Sequence, residues 1–165
     1  MGLRPIIVDG EVAYIHLTQG KVATIDSMDL FLVDSHNWYF NKGYARTNIS
    51  DGAGGQKNIK LHRLIMSAPS GMEVDHINLN KLDNRRANLR IATASQNQRN
   101  RGAYTTNTSG YKGVVWHKGA NKWRARIVCE GKKHSLGLYE SKELAYEAYC
   151  NAAKQMHGEF ARVSQ

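Results

Sequence analysis

A polar tract beyond the middle of the chain, Asn97 to Ser109, most constrains how this sequence can fold. Its letters, NQRNRGAYTTNTS, show no apolar period, whereas regular apolar patterns stand on both sides of it. A linker is the structure that such a tract favours. We therefore expect the 165 residues to form small modules joined by short connections, and not one large core.

Charge is distributed unevenly along the chain, which also favours modules. Residues 1–56 carry four Lys or Arg against six Asp or Glu, a net charge of −2, while residues 57–165 carry nineteen against eight, a net charge of +11. A localised positive surface most often binds nucleic acid, with an anionic membrane as the competing partner. No apolar run approaches the roughly twenty residues that span a bilayer, and the first thirty residues lack an apolar signal segment. We expect a cytoplasmic protein, in a bacterial host or a phage-infected cell, that does not bind membranes.

The first segment, residues 1–56, is predicted to be rich in β-structure. PIIVDGEVAYIHL predicts two strands around an Asp-Gly turn, KVATI a third strand, and WYFNKGYARTNI a hairpin. SMDLFLVDSH predicts a short helix with Leu30, Phe31 and Val33 turned inward. DGAGGQ predicts a flexible connection, followed by NIKLHRLIM as a strand that runs into a helical turn.

The last segment alternates regularly. YKGVVWH, KWRARIVC and KKHSLGL are three period-2 runs, which predict three antiparallel strands. SKELAYEAYCNAAKQMHG then predicts a helix that covers one face of this sheet. Its apolar residues recur at three- and four-residue steps and form one stripe: Ala145, Ala148, Tyr149, Ala152, Ala153 and Met156. In KWRARIVC the alternation leaves Arg124, Arg126 and Val128 on the face that the helix does not cover.

The central stretch VDHINLNKLDNRRANLRIATASQN carries an acid and an imidazole side by side, Asp75 and His76. A histidine has a pKa near neutrality that suits a general base, and a carboxylate is a hard oxygen ligand for Mg²⁺. Neighbours on a strand point to opposite sides, so the two can serve one phosphate only where the chain turns or the strand ends. Taken alone, such a pair beside Asn-rich turns is also what ordinary loops contain.

The full stretch resembles the HNH nuclease motif of phage and intron homing endonucleases, and LHRLIMSAPSGME before it resembles the segment that leads into that motif. The resemblance implies two strands and a helix around one divalent metal, with His76 as general base and Asp75 and Asn97 as metal ligands. It implies that Asn88 positions the loop or orients the imidazole, with Asn84 as the competing residue for that role. The last motif letter is Asn and not His, so the ligands are all oxygen, which favours Mg²⁺ or Mn²⁺ over zinc.

Several arginines near this motif are candidates for clamping phosphates, for which a guanidinium fork is well shaped. A solvated face is the alternative interpretation of the same cluster. His62 is expected to be a structural histidine. The predicted phosphate contacts are Arg85, Arg86, Arg90, Arg99 and Arg101.

The stretch from SGYKGVVWH to KQMHG resembles the Apetala-two, or ethylene-response-factor, DNA-binding domain over about fifty residues. The resemblance implies that the free face of the sheet enters the DNA major groove. Val115 stands where that family has an arginine, so the same sequence preference does not follow. The DNA contacts carried over by position, with Arg124 added from its strand face, are Lys112, His117, Arg124, Arg126, Lys133 and Ser135.

Together these patterns predict an α+β protein with a β-rich region (1–56), an HNH motif of the ββα-metal type (57–101), a linker (102–109) and an Apetala-two-like domain (110–162). The predicted function is site-directed cleavage of double-stranded DNA by a monomer with Mg²⁺ or Mn²⁺. Cleavage of one strand and cleavage of both remain open. A DNA-binding regulator with an inactive nuclease motif is the alternative, and an RNA-binding accessory protein is disfavoured because the sheet lacks exposed aromatic pairs for stacking bases.

Overall fold

The computed structural model describes residues 3–52, 54–100 and 107–163, in two compact units, 1–93 and 94–165. The first unit combines small antiparallel sheets with short helices, and the second combines one antiparallel sheet with helices, so the predicted α+β class is confirmed. Among the described residues, no helix combines the length and the apolar character needed to cross a bilayer.

The first unit begins with a three-stranded antiparallel sheet, as predicted. It consists of β1 (Ile6–Asp9), β2 (Val12–His16) and β3 (Val22–Asp26), in that order. Alternate residues of β2 and β3 point into the core and are fully buried, because side chains on a strand alternate between its faces.

The predicted short helix after β3 is a 3₁₀ helix, Ser27–Leu32, and its inward face was predicted wrongly at Phe31. Phe31 is 72% exposed, whereas Val33 is buried as expected and the buried helical residue is Asp29. A 3₁₀ helix has three residues per turn, so its inward positions differ from those of an α-helix.

A second antiparallel sheet follows, formed by β4 (Tyr39–Asn41), β5 (Tyr44–Ser50) and β6 (Gln56–Lys60). The chain passes from β6 into the short helix α1 (Leu61–Ile65), as predicted. DGAGGQ leads from β5 into β6, and every residue of β6 pairs with a residue of β5, from Arg46 to Ser50. The predicted segment boundary at residue 57 therefore lies inside a sheet.

The first unit ends with the hairpin of β7 (Glu73–His76) and β8 (Leu89–Ala92). Val74 and Leu89 pack into the core that both sheets share with α1. The same core holds buried apolar residues from the earlier elements, among them Ile15, Ile25, Val33, Trp38, Leu61 and Ile65.

The second unit contains helix α2 (Ala94–Asn100), strands β9 (Val114–His117), β10 (Lys122–Cys129) and β11 (Lys132–Tyr139), and helix α3 (Lys142–His157). The strands form an antiparallel sheet with β10 in the middle. The hydroxyl of Ser141 caps α3 by accepting a hydrogen bond from the backbone N–H of Leu144 at 3.2 Å. Ala145, Tyr149 and Ala153 of the predicted stripe are buried, but Met156 is 39% exposed and His157 is buried beside it.

Candidate active site

The β7–β8 hairpin places the acid and the imidazole where a strand ends. Asp75 pairs with Arg90 across the hairpin, and His76 is the last residue of β7. Both side chains belong to the buried part of the unit, Asp75 at 3% and His76 at 5% exposure. The chain leaves the strand directly after His76, so the geometric condition set by strand alternation is met.

Asn88 closes the loop between the two strands. Its side-chain oxygen accepts a hydrogen bond from the backbone N–H of Asn78 at 2.9 Å, and its amide nitrogen donates to the carbonyl of Asp83 at 2.8 Å. The side-chain oxygens of Asn78 and Asn80 each accept a hydrogen bond from the backbone N–H of the residue two positions later in the chain. Asparagine commonly forms this contact in turns. Of the two roles expected for Asn88, these contacts correspond to positioning the loop.

The amide that contacts the imidazole belongs to Asn84. Its side-chain oxygen lies 3.3 Å from Nε2 of His76, and its amide nitrogen donates to the carbonyl of Leu82 at 3.0 Å. The backbone N–H of Asn84 donates to the carbonyl of Thr24 at 2.7 Å, which fixes the loop to β3. In the tautomer that carries its hydrogen on Nε2, His76 donates to this oxygen, and Nδ1 is then the basic nitrogen of the ring.

His62 and Tyr44 pack around the imidazole. The His62 ring lies 4.9 Å from the His76 ring at 85°, and Tyr44 lies 5.2 Å from His62 and 6.3 Å from His76. Burial, reinforced by the neighbouring His76, lowers the pKa of His62 to about 3. Burial also lowers the pKa of His76, against the opposing effects of Asn84 and Asp75. Burial therefore favours the neutral form of both imidazoles.

Three of the predicted phosphate-contacting arginines make ion pairs inside the first unit. Arg90 donates to Oδ2 of Asp75 from Nη2 at 2.7 Å and from Nε at 2.9 Å. Arg85 binds both carboxylate oxygens of Asp83 at 2.8 Å. Arg86 binds the buried Asp29, with its shortest contact at 2.7 Å. Asp29 and Asp75 come from other elements of the chain, so proximity to the motif did not reveal their pairs with Arg86 and Arg90. Asp83 lies two residues before Arg85 in the same loop.

Asn97, the second predicted metal ligand, lies on helix α2 of the second unit. The ammonium group of Lys112 donates a hydrogen bond to the carbonyl oxygen of Arg99, on the same helix. Burial lowers the pKa of Lys112 to about 8, and Arg162 contributes to the decrease. Arg101, another predicted phosphate contact, lies outside the described residues.

The free face of the second unit's sheet brings most of the predicted DNA contacts together. Arg126 pairs with Ser135 across β10 and β11, and all three of Arg126, Lys133 and Ser135 are exposed. Arg124 is half-buried, and its Nε is buried without a hydrogen-bond partner in the described part of the chain. His117 lies at the end of β9, where its Nδ1 accepts a hydrogen bond from the backbone N–H of Ala120 at 3.1 Å.

The sequence pointed to His76 as a candidate, but it did not predict which residues pack around its imidazole ring. Tyr44 carried no signal, and His62 was expected only as a structural residue. Lys60 and Lys81, whose ammonium groups lie 4.6 and 4.7 Å from the centre of the Tyr44 ring, were also not singled out. These contacts join residues of different strands and loops, which no local pattern records.

The chain was compared with known proteins. A family model described as HNH endonuclease matches residues 60–99, and an AP2 domain model matches residues 109–159. An uncharacterised HNH endonuclease of Acanthamoeba polyphaga mimivirus is 34% identical over 164 residues, covering 94% of this chain and 82% of that protein. Protein 3.8 of Escherichia phage T7 is 36% identical over 94 residues, covering 57% of this chain and 77% of that protein.

Among solved structures, one of DNA binding and cleavage by the HNH homing endonuclease I-HmuI covers 95% of this chain and 88% of its own, with 19% identity and a TM-score of 0.36. The family matches support a nuclease as the activity and DNA as the partner. The chain belongs to the HNH endonuclease family and carries an AP2-type domain.

Proposed function

We propose that this protein is a site-directed DNA endonuclease of the homing type, in which His76 is the general base for hydrolysis of one phosphodiester bond. The observation that carries the proposal is the hydrogen bond between Asn84 and Nε2 of His76 at the end of β7. A general base must hold one tautomer and be neutral at the working pH. The hydrogen bond to Asn84 supports the first requirement, and burial, which lowers the pKa of His76, supports the second.

In the proposed reaction, Nδ1 of His76 takes a proton from water. The hydroxide oxygen forms a bond to phosphorus while the bond between phosphorus and the 3′ oxygen breaks. The 3′ oxygen then takes up a proton from solvent, and the products have 5′ phosphate and 3′ hydroxyl ends, as the family resemblance implies. Asn88 acts as a positioning residue, because its hydrogen bonds hold the loop that carries Asn84.

The donor chemistry fits Mg²⁺ or Mn²⁺. Asp75 offers a carboxylate and Asn97 an amide oxygen, which are the hard ligands that these ions prefer. The described residues contain no group of three or more His, Cys, Asp or Glu side chains able to hold a metal. An ion with one or two protein ligands, which keeps water and phosphate oxygens in its other positions, is typical of Mg²⁺. When bound, it supplies positive charge to the phosphate and the departing oxygen.

DNA recognition is assigned to the exposed face of the second unit's sheet. Arg126, Lys133 and Ser135 share that face, and each is accessible to a ligand. Attachment of this face to the nuclease segment raises the local concentration of the nuclease segment near chosen sites. With roughly six phosphates neutralised, log K for DNA should fall by about five per tenfold rise in salt.

The test compares cleavage of long phage or bacterial DNA by the wild-type protein and by His76→Ala, each with Mg²⁺. Loss of a general base should lower the rate by a factor of about 10²–10⁴. His36→Ala, which removes an imidazole outside the site, is the matched control and should cut normally. Chelation of the metal should stop cleavage, and titration of Asp75→Ala with Mn²⁺ should give weaker metal binding than the wild type.

A DNA-binding regulator with an inactive nuclease motif is the second candidate. The ion pair of Arg90 with Asp75 favours it, because a guanidinium group already binds the carboxylate that would ligate the metal. DNA binding without cleavage by the wild-type protein in Mg²⁺ or Mn²⁺ would select the regulator. Equal cleavage by wild type and His76→Ala would remove His76 as the base.

A further inference from the structure

The second sheet of the first unit has a face that is cationic and aromatic. Tyr44 and Arg46 point to the same side of β5, and Lys60 of β6 pairs directly opposite Arg46. None of the residues of β4, β5 and β6 is Asp or Glu. Like charges directly opposite each other destabilise a sheet. Cross-strand charge pairing therefore does not account for Arg46 opposite Lys60, although Nη1 of Arg46 donates to Oδ1 of Asn58 at 3.0 Å.

Two ammonium groups are held at one aromatic ring of this face. Nζ of Lys60 and Nζ of Lys81 lie 4.6 and 4.7 Å from the centre of the Tyr44 ring, within the range of cation–π attraction. Lys81 belongs to the loop of the β7–β8 hairpin and reaches back over Gly43. We call Tyr44, Arg46, Lys60 and Lys81 the Tyr44 cation cluster. Its ring lies 6.3 Å from the His76 ring, so the cluster adjoins the proposed base.

Lys60 is influenced by more cations than acids: Arg46, Arg63 and Lys81 act on it against Glu73. Burial lowers the pKa of Lys60, and the neighbouring Arg46 and Arg63 lower it further, while Glu73 opposes them. The guanidinium group of Arg63 donates hydrogen bonds to three backbone carbonyls, those of Met72, Ala68 and Pro69. Nε of Arg46 is buried without a hydrogen-bond partner in the described residues.

An open cavity of about 340 Å³ is lined by Arg46 and Lys60 of the cluster and by Arg63. It follows β6, which is an edge strand, and the neighbouring helix α1. Its polar lining residues, Arg46, Lys57, Asn58, Lys60, Arg63 and Ser67, include no acid. Such a site suits a singly charged phosphate diester, because guanidinium and ammonium groups bind phosphate oxygens and fix its position without reading sequence.

We propose that Arg46, Lys60 and Lys81 bind a backbone phosphate of duplex DNA beside His76. The inference rests on the proposed function for the identity of the ligand as DNA. It assigns the phosphate-binding role in the first unit to this cluster and not to Arg85, Arg86 and Arg90, whose guanidinium groups are paired with Asp83, Asp29 and Asp75.

The test measures how tightly the full chain, carrying His76→Ala, binds a fluorescent DNA duplex of arbitrary sequence and a matching RNA duplex. Binding is measured in EDTA over a range of salt concentrations. Lys60→Gln and Lys81→Gln should each weaken binding several-fold and reduce the slope of log K against log salt by about 0.9, and the double variant by about twice that. Lys21→Gln removes the same charge from an exposed site elsewhere in the unit and should leave the slope unchanged. Lys60→Arg should restore binding. Thermal unfolding of each variant checks that the fold is intact.

An unchanged slope in the double variant would overturn the inference, and so would a loss of binding to an RNA duplex without a loss on DNA. Binding is measured without metal and without the base, so its result does not depend on catalysis. If the lysine variants change the slope of log K against log salt but the wild-type protein never cuts DNA, only the proposed function is contradicted. If the wild-type protein cuts DNA and the slope is unchanged in the variants, only this inference is contradicted.

Discussion

The two units treat polar side chains in opposite ways. The first unit buries many of them, namely Asp29, Thr47, His62, Asp75, His76, Asp83, Asn84 and Asn88. The second unit packs its sheet against α3 through small apolar residues such as Ala125, Ala145 and Ala153. It leaves Arg126 and Lys133 in solvent. The first unit therefore has many polar side chains in its interior, whereas the second exposes the charged side chains of its sheet to solvent.

This difference predicts how each unit can be damaged. A buried polar group is stable only while its partners and its protonation state are maintained. The first unit should therefore be sensitive to changes of charge and pH. A tight interface of small residues has no room for additional atoms. The second unit should therefore be sensitive to added volume, and its displayed charges should affect binding and not stability.

The largest effect is expected from Gly113→Ala in the second unit. A Cβ at this glycine would lie 2.2 Å from the Tyr149 ring and 2.7 Å from the carbonyl oxygen of Arg126, with φ at +77°. Overpacking and the positive φ together should lower the free energy of unfolding by about 3 kcal/mol. Gly110→Ala has a similar φ of +79° but no atom within 4 Å, so it should cost only about 1 kcal/mol. Chemical denaturation of both variants measures the difference, and equal losses would contradict a steric cause.

The next effect is a loss of stability in acid caused by His62. Its folded-state pKa of about 3 lies below the ordinary value of 6.5, so the unfolded chain binds the proton more readily. The contribution of neutral His62 to the free energy of unfolding is complete above pH 6.5. It is lost as the pH falls toward 3, by up to about 1.4 kcal/mol per pH unit. Between pH 7 and 4 we expect about 2–3 kcal/mol of loss. His62→Phe should reduce this slope in pH-dependent denaturation, and an unchanged slope would exclude His62 as its source.

Arg86→Ala should cost about 2 kcal/mol of unfolding free energy, because it leaves the carboxylate of Asp29 buried without its guanidinium partner. Arg86 is itself half-exposed, so the loss is smaller than for a fully buried pair. Arg126→Ala, the matched change on the displayed face, should stay within about 0.5 kcal/mol of the wild type. Its effect should appear instead as weaker DNA binding. Equal destabilisation by the two changes would break the contrast between the units.

The sequence predicted what depends on short-range periodicity. Alternation in KWRARIVC placed Ala125 and Ile127 inside and Arg126 outside, as the structure has them. The predicted turns and strands of the first fifty residues also form. The error at Phe31 arose because a 3₁₀ helix has a different period from the α-helix that was assumed.

Contacts between distant residues could not be predicted in the same way. Arg86 and Asp29 are 57 positions apart, and Arg90 and Asp75 meet only through the register of the β7–β8 hairpin. Asp75 and His76 stand together in a recognisable motif, so the sequence alone was enough to propose them as metal ligand and general base. The loop contacts that distinguish Asn84 from Asn88 depend on tertiary geometry, so the sequence left both open.

The smallest effect concerns the buried amide of Asn84. Asn84→Ala removes the oxygen that lies at hydrogen-bond distance from Nε2 of His76, and we expect about two- to tenfold slower cleavage at saturating DNA, since one hydrogen bond contributes about 0.5–1.5 kcal/mol. Asn84→Asp keeps an acceptor at the same place and should restore part of the rate. Asn37→Ala also removes an amide acceptor, here from Arg4, and should leave the rate unchanged. A rate that follows thermal stability across all three variants would mean that Asn84 only holds the loop, and the imidazole would then owe its orientation to packing against His62 and Tyr44.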